Sequence, residues 1–146
     1  MLMTRALMLS LVLLIVPTSA YAVGDFEPDA TDDPALVKAW QAWDAKDIDD
    51  YTTTVTLTCF CPEIPAVRTV VRDGEVRKVM QGGRRLAHRK GFSMDQLFAM
   101  IRDAHDTADR VEVTYTPRGV PKQITVDPEK LAIDEERYYS VSLMRP

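Results

Sequence analysis

A strict alternation of side chains runs from Tyr51 to Cys61 and constrains the fold more than any other feature of this chain. Successive side chains of a β-strand point to opposite faces, and β-branched residues suit the pleated surface. One face of this segment consists of Tyr51, Thr53, Val55, Leu57, Cys59 and Cys61, and the other of Thr52, Thr54, Thr56, Thr58 and Phe60. The pattern predicts a half-buried strand with both cysteines on its core-facing side. Pro62 and Pro65 are expected to end it, because proline cannot donate to a ladder.

The Asp73-Gly74 pair predicts a β-hairpin further along, because this dipeptide suits a two-residue type I′ turn. Counting outward from the turn pairs Arg72 with Glu75, Val71 with Val76 and Thr69 with Lys78. The predicted inner face holds Val67, Val71, Val76 and Met80, and the predicted outer face holds Arg68, Val70, Arg72, Glu75, Arg77 and Val79. Residues 81–91 are predicted to form a loop.

The first helix is predicted to begin at Asp33, whose carboxylate can accept hydrogen bonds from the free N–H groups of a helix start. Pro34 then occupies the first helical position, where its missing N–H is not needed. The residues after it form an apolar stripe at helical spacing: Leu36, Val37, Trp40 and Trp43. The two tryptophans fit a packing role, with an aromatic platform for a ligand as the alternative.

A second helix is predicted after Ser93, because Ser93-Met94-Asp95-Gln96 forms a capping box. The two-residue period then returns around residues 111–115, 124–126 and 139–143. Short connections make neighbouring strands antiparallel. We therefore predict an α+β fold, with a single antiparallel sheet of about six strands and helices packed on one face, in the order α-β-β-β-α-β-β-β. The predicted domain covers residues 33–146.

Residues 1–22 have the features of a secretory signal peptide. Arg5 precedes an apolar run from Ala6 to Val16, and Ala20-Tyr21-Ala22 offers a cleavage site. The run is shorter than the roughly 20 residues that a membrane-spanning helix needs, although a retained N-terminal anchor is the alternative. We expect an exported protein, periplasmic or extracellular, that does not span the membrane after signal removal. Residues 23–32 are acidic and lack periodicity, which predicts a flexible arm.

Charge is distributed unevenly along a chain whose formal net charge is −4. Acidic residues dominate positions 25–50, whereas positions 67–91 are strongly basic. The predicted basic surface patch consists of Arg68, Arg72, Arg77, Arg84, Arg85, Arg89 and Lys90. Such an asymmetry can serve an anionic partner, intramolecular complementarity or solubility.

Nucleic acid is not the expected partner, because the protein is predicted to be exported, is net negative and lacks aromatic residues among the basic ones. An anionic envelope component fits the basic patch better. A protein that pairs with a free edge of the sheet is the other candidate partner.

The chain has two cysteines, Cys59 and Cys61. An even number of cysteines in an exported protein favours a disulfide. Residues i and i+2 of an ideal strand are about 6.6 Å apart at Cα, near the upper limit for a bridge, so the strand has to pinch at Phe60. A redox-active pair and free or metal-binding thiols are the alternatives. His88 and His105 could complete a four-ligand group, but the spacing resembles no zinc pattern.

Enzyme signatures are absent from the sequence: there is no phosphate-binding glycine loop, no G-x-S-x-G and no H-E-x-x-H. The sequence therefore predicts no catalytic residue, no metal site and no cofactor. The predicted function is a non-catalytic binding or scaffolding module at the cell envelope. The alternative is a thiol-disulfide redox protein that uses Cys59 and Cys61.

Several short motifs occur here in a recognisable order between Trp43 and Leu143. They are Trp43, Tyr51 before Cys59-x-Cys61, Asp73-Gly74, Met94-Asp95-Gln96-Leu97-Phe98, Tyr115 before Gly119-x-Pro121, Asp127, and Asp134-Glu135. In this order the chain resembles the bacterial exported family catalogued as domain of unknown function 6174. Thr116 and Val120 stand where that family usually has an Asp and an aromatic residue. The resemblance supports the fold and implies no particular activity.

Overall fold

The computed structural model describes residues 25–146. The predicted signal peptide (residues 1–22) and the first two residues of the predicted arm lie outside the described residues. The elements, in chain order, are α1 (Pro34–Asp44), β1 (Tyr51–Thr58), β2 (Val67–Arg72), β3 (Glu75–Gln81), β4 (Arg84–Leu86), a 3-10 turn (His88–Lys90), α2 (Met94–Thr107), β5 (Arg110–Tyr115), β6 (Pro121–Asp127) and β7 (Arg137–Met144).

The strands form one antiparallel sheet in the order β4-β3-β2-β1-β7-β6-β5. The last strand of the chain thus pairs with the first, from Thr52 opposite Met144 to Thr58 opposite Tyr138. The predicted α+β class with a single antiparallel sheet is confirmed. The described sheet has seven strands, one more than predicted.

The additional strand is β4, in the region that was predicted to be a loop. Gly82 and Gly83 have φ angles of 54° and 78°, which residues other than glycine rarely adopt. They make a second tight turn, after which Arg84–Leu86 pairs with Val79–Gln81. A three-residue strand is too short to show the alternation from which the longer strands were predicted.

Both helices begin where the sequence predicts. The Asp33 carboxylate accepts hydrogen bonds from the N–H groups of Ala35 and Leu36, at 2.9 and 3.2 Å. At α2 the Gln96 N–H donates to the Ser93 hydroxyl, and the Gln96 side chain accepts from the Ser93 N–H. These contacts satisfy N–H groups that a helix start leaves without intrahelical partners.

The core lies between the two helices and one face of the sheet. Its fully buried large side chains are Leu36, Val71, Val79, Met94, Leu97, Phe98, Ile101 and Ile124. Three polar side chains of β1 and β2 also lie in this core and bind the start of α2. Tyr51 Oη accepts from the Met94 N–H at 3.0 Å, Thr53 Oγ1 donates to the Phe92 carbonyl at 2.5 Å, and Thr69 Oγ1 accepts from the Phe92 N–H at 2.8 Å. Burial raises the pKa of Tyr51 to about 12, so its hydroxyl stays neutral.

The hairpin around Asp73-Gly74 contains a β-bulge that the sequence pattern does not predict. Arg72 pairs with Glu75 and Val71 with Val76 as predicted, but the partners beyond them are shifted. Val70 lies opposite Lys78 and Thr69 opposite Val79, so the predicted Thr69–Lys78 pair is wrong. Arg77 is the extra residue on β3. A bulge moves every later side chain to the other face, and Val79 is therefore fully buried in place of Met80.

Gly119 holds the β5–β6 hairpin against α1. Its φ angle is 81°, and a Cβ placed on it would overlap the Ala39 carbonyl oxygen. Only glycine allows the two backbones to approach this closely. Val120 and Pro121, which follow it, are buried.

Residues 25–32 of the predicted flexible arm pack against α2, a contact that the sequence does not predict. The Phe26 side chain is buried, with its ring centroid 5.6 Å from that of Phe98. The Arg102 guanidinium lies 4.2 Å from the Phe26 ring centroid and donates to the Glu27 carbonyl at 2.6 Å. It also binds the Asp32 carboxylate in a two-bond pair at 2.6 and 2.5 Å.

Within residues 25–146 the longest helix, α2, has 14 residues, and no helix of this part is long and apolar enough to cross a membrane.

Substituting Gly119 should test the contact between the hairpin and α1. Both Gly119 and Gly83 have positive φ, but a Cβ on Gly83 meets nothing within 4 Å. We expect Gly83→Ala to lower the free energy of unfolding by about 1 kcal/mol, through backbone strain alone. Gly119→Ala should cost about 3 kcal/mol or more, because the clash adds to the strain. Urea unfolding measures both, and equal losses would contradict the close approach.

The Asp32–Arg102 pair should make stability depend on pH. The hydrogen bonds from Arg102 hold the pKa of Asp32 below its usual value of 3.8. A lowered pKa stabilises the fold above pH ~4, and this contribution is lost as the pH falls through the lowered pKa. Asp32→Asn should therefore cost about 1–3 kcal/mol at pH 7 and progressively less below pH ~4. Glu129→Gln, an exposed carboxylate outside any described ion pair, is the matched control; a pH-independent loss in Asp32→Asn would refute the pair's role.

Candidate functional site

One face of the sheet is covered by the helices, and the other is open to solvent. We call this solvent-facing side of the sheet the open face. On β1, β7, β6 and β5 its hydroxyl and amide side chains are Thr54, Thr56, Thr58, Ser140, Ser142, Gln123, Thr125 and Thr114. All are exposed or half-buried. Ser140 Oγ donates to Gln123 Oε1 at 3.0 Å across the β6–β7 pair. Thr54, Thr56 and Thr58 of β1 point outward as predicted, whereas Thr52 is buried.

Register places basic side chains at the β4 end of the same face. Arg68 on β2 lies opposite Met80 on β3, and Met80 lies opposite Arg85 on β4. Lys78 lies opposite Val70, one step along the strands. Since paired residues share a face, Arg68, Lys78 and Arg85 all lie on the open face.

Further cations surround the β4 edge. Arg84 pairs with Gln81 and lies on the opposite face from Arg85, and Arg89 and Lys90 lie in the 3-10 turn that follows β4. We call the whole group the basic wing: Arg68, Lys78, Arg84, Arg85, Arg89 and Lys90. All six are exposed. Among the described residues, none of the six forms an ion pair.

The structure separates two predicted patch residues, Arg72 and Arg77, from the basic wing. Arg77 forms ion pairs with Glu75 at 2.8 Å and Asp73 at 3.5 Å. The Arg72 guanidinium donates to the backbone carbonyls of Val71 at 2.6 Å and Tyr51 at 3.2 Å. Five residues of the predicted patch, Arg68, Arg84, Arg85, Arg89 and Lys90, thus lie in the basic wing together with Lys78, which the predicted patch did not include. Because of the bulge at Arg77, Lys78 lies on the same face of the sheet as Arg68 and Arg85.

Acidic side chains collect elsewhere, in a cleft of about 300 Å³ between the N-terminal segment, α1 and the start of β1. Its carboxylates are Asp25, Glu27, Asp44, Asp47, Asp49 and Asp95. Asp95 accepts the Phe26 N–H at 3.2 Å, and burial raises the pKa of its carboxyl group. None of the ion pairs in residues 25–146 joins positions 25–50 to positions 67–91. The charge asymmetry thus produces two surfaces of opposite sign, which meet at a cavity lined by Arg89 together with Asp25, Glu27 and Asp95.

The histidines and cysteines do not meet. His88 and His105 are both exposed, one in the 3-10 turn and one near the end of α2. Among residues 25–146, no group of three or more His, Cys, Asp or Glu side chains is arranged to hold a metal ion.

The segment after β1, residues 59–66, begins with the two cysteines. β1 ends at Thr58, so the prediction that both cysteines lie on the core-facing side of the strand is wrong. Cys59 is half-buried and Cys61 is exposed. Their Cα atoms lie 5.2 Å apart and their sulfur atoms are adjacent. The chain is more tightly bent here than an ideal strand, and Phe60 is left 82% exposed.

Other exposed apolar residues lie at the same end of the sheet. Thr58, the last residue of β1, pairs with Tyr138, and the β6–β7 connection ends just before Arg137, the first residue of β7. In this connection Leu131 is 92% and Ile133 is 87% exposed. They are close in sequence to Asp134, Glu135 and Glu136, which makes this end of the sheet acidic as well as apolar.

Comparison with known proteins places the chain in a family. The model of the "Family of unknown function (DUF6174)" matches residues 35–146. The chain belongs to this family. The DUF6174 match includes all seven strands, and with them the open face, the basic wing and both cysteines, so the resemblance from sequence is confirmed over a longer region than Trp43 to Leu143. No curated protein and no solved structure matches the chain.

The sequence does not predict which strands are neighbours in the open face. The outward direction of the β1 threonines follows from alternation, but the DUF6174 sheet places β7 beside them, although 78 residues separate Thr58 from the start of β7 at Arg137. The exposed Ser140 and Ser142 were implied only as the alternate positions of the last strand. No local signal shows which strands are neighbours, because strand pairing is a long-range choice.

Proposed function

We propose that this chain is an exported, non-catalytic binding module that holds an anionic component of the cell envelope through its basic wing. The observation that carries the proposal is the set of six exposed cations around β4 without ion pairs among the described residues. Exposed charges of one sign that are not neutralised by neighbours attract a partner of opposite sign. The acidic cleft supports the same proposal, because it favours one orientation of the domain toward an anionic surface.

Export is part of this proposal. Residues 1–22 carry the features of a signal peptide, and the first described element begins at Pro34. Cleavage after Ala22 would leave the described elements intact. The proposed location is the periplasm or the extracellular space.

Substituting four cations of the basic wing should weaken binding to anionic probes. The protein without residues 1–22 is mixed at low salt with polygalacturonate, polyglutamate or phosphatidylglycerol vesicles, and binding is measured by co-sedimentation. We expect Arg84→Gln/Arg85→Gln/Arg89→Gln/Lys90→Gln to weaken binding by about tenfold or more, because each exposed charge contributes a few tenths of a kcal/mol. Added salt should weaken binding of the unsubstituted protein.

The matched control is Lys38→Gln/Lys46→Gln/Arg118→Gln/Lys122→Gln, which removes the same charge from exposed positions outside the basic wing. It should bind within about twofold of the unsubstituted protein. If both quadruple variants lose binding equally, only net charge matters and the basic wing is not a site. If no anionic probe binds the unsubstituted protein, the proposed function is refuted.

A thiol-disulfide redox protein is the second candidate, favoured by the exposure of Cys61 next to the adjacent Cys59 sulfur. We propose that the two cysteines are bonded in the exported protein. In a redox cycle, a thiolate of a dithiol protein attacks one sulfur, which forms a mixed disulfide and releases the other sulfur as a thiolate. The second thiol of that protein then displaces the first cysteine. The partner leaves oxidised, and Cys59 and Cys61 are both reduced.

Intact mass and thiol exchange test these two statements. The exported protein should have the mass of a chain that begins at Val23, gain two hydrogens on reduction, and accept thiol labels only after reduction. A redox function further requires the oxidised protein to accelerate oxidation of a reduced dithiol protein, and Cys59→Ser should abolish this acceleration. Labelling before reduction would exclude the bond, and a bond that does not exchange would exclude the redox function while leaving the binding function intact.

A further inference from the structure

We propose that the anionic component is an acidic polysaccharide, and that its chain lies across the open face of the sheet with its charged groups on the basic wing. This inference rests on the proposed function, because the basic wing supplies its charge recognition. It adds the identity of the polymer and the residues that contact its uncharged groups.

A continuous row of side chains connects hydroxyl groups to cations on this face. In sheet order from β7 to β4 the row consists of Ser142, Thr54, Arg68, Met80 and Arg85. Neighbouring strands are about 4.8 Å apart, so five residues in register span roughly 20 Å. A polymer lying across the strands would therefore meet hydroxyls at one end and two guanidinium groups at the other.

A second row extends the hydroxyl part of the surface toward β5. It consists of Thr56, Ser140, Gln123 and Thr114. Because the Gln123 oxygen accepts from Ser140, the Gln123 amide N–H groups remain available to a ligand. Tyr138 lies one step further, between Thr58 and Thr125, and is half-exposed. A tyrosine ring offers an apolar surface with a polar tip, which suits the C–H face of a sugar ring.

The chemistry of these side chains matches acidic sugars. Serine and threonine hydroxyls both donate and accept hydrogen bonds, as sugar hydroxyls do, and the glutamine amide does the same with separate groups. Arginine binds carboxylates through paired N–H groups in a fixed plane. A polymer that alternates hydroxyls and carboxylates uses both parts of the face, whereas a polyanion without hydroxyls uses only the basic wing.

A lipid surface fits the same cations less well. Peripheral membrane binding combines basic residues with apolar side chains that enter the interface. Here the most exposed apolar residues, Phe60, Leu131 and Ile133, are not members of the basic wing, and Leu131 and Ile133 are close in sequence to Asp134, Glu135 and Glu136. Antiparallel sheets also twist by about 20° per strand, so a flexible polymer can follow the open face, while a planar bilayer touches only part of it.

The test compares three probes with the protein that lacks residues 1–22: polygalacturonate, polyglutamate of the same charge density, and phosphatidylglycerol vesicles. The hydroxyl variant is Thr54→Val/Thr56→Val/Ser142→Ala. Valine keeps the β-branched shape that suits a strand, so the urea midpoint should stay close to that of the unsubstituted protein. Thr107→Val, on the exposed end of α2, is the control for loss of a hydroxyl elsewhere.

We expect tighter binding to polygalacturonate than to polyglutamate. The hydroxyl variant should weaken polygalacturonate binding by about fivefold or more, since each lost hydrogen bond contributes roughly two- to tenfold. It should leave polyglutamate binding unchanged, and Thr107→Val should alter neither. The quadruple basic-wing variant should weaken binding to both polymers.

Each of the other outcomes refutes the polysaccharide, the proposed function or both. Equal affinity for the two polymers, or a hydroxyl variant that binds polygalacturonate normally, refutes the polysaccharide and leaves the proposed function standing. Binding to vesicles without binding to either polymer assigns the basic wing to lipid headgroups and refutes the polysaccharide. Absence of binding to all three probes refutes the proposed function and this inference together.

Discussion

The rest of the structure depends on three buried or partly buried hydrogen bonds that join the sheet to the start of α2. Tyr51, Thr53 and Thr69 bind the backbone of Phe92 and Met94. Burying a polar group costs free energy unless the group is hydrogen-bonded. The hydroxyls of Tyr51, Thr53 and Thr69 are therefore satisfied only when residues 92–94 lie against β1 and β2 as observed. The apolar face of α2 is thereby held on one side of β1 and β2, where Leu97, Phe98 and Ile101 fill the core.

Because the helices cover only one face of the sheet, the other face is left to solvent. The uncovered face carries threonine, serine and glutamine side chains that are compatible with solvent, and no described helix screens them. The bulge at Arg77 then decides which cations join this face, because it buries Val79 and turns Met80 and Arg85 outward. The Arg102 contacts keep the acidic N-terminal segment on α2, and the acidic cleft forms there. The two charged surfaces are therefore consequences of the packing.

Features that depend on residues close together in sequence were predicted correctly more often than features that depend on residues far apart in sequence. The capped helix starts at Asp33 and Ser93, the hairpin turn and the alternation in β1 depend on neighbouring residues, and all of them occur in the structure. The pairing of β1 with β7 and the packing of Phe26 on α2 depend on residues far apart in sequence. The predicted placement of Cys59 and Cys61 in the strand is wrong because β1 ends at Thr58 and the alternation beyond it has no meaning.

The sequence by itself determined the α+β class, the starts of both helices and the outward direction of Thr54, Thr56 and Thr58 on β1. Each of these follows from local spacing, capping chemistry or composition. Only the tertiary structure decided that β7 adjoins β1, that Lys78 joins the open face and that Arg72 and Arg77 are engaged elsewhere. A strand can change partner or register without changing its alternation, and burial against α2 selects one of these arrangements.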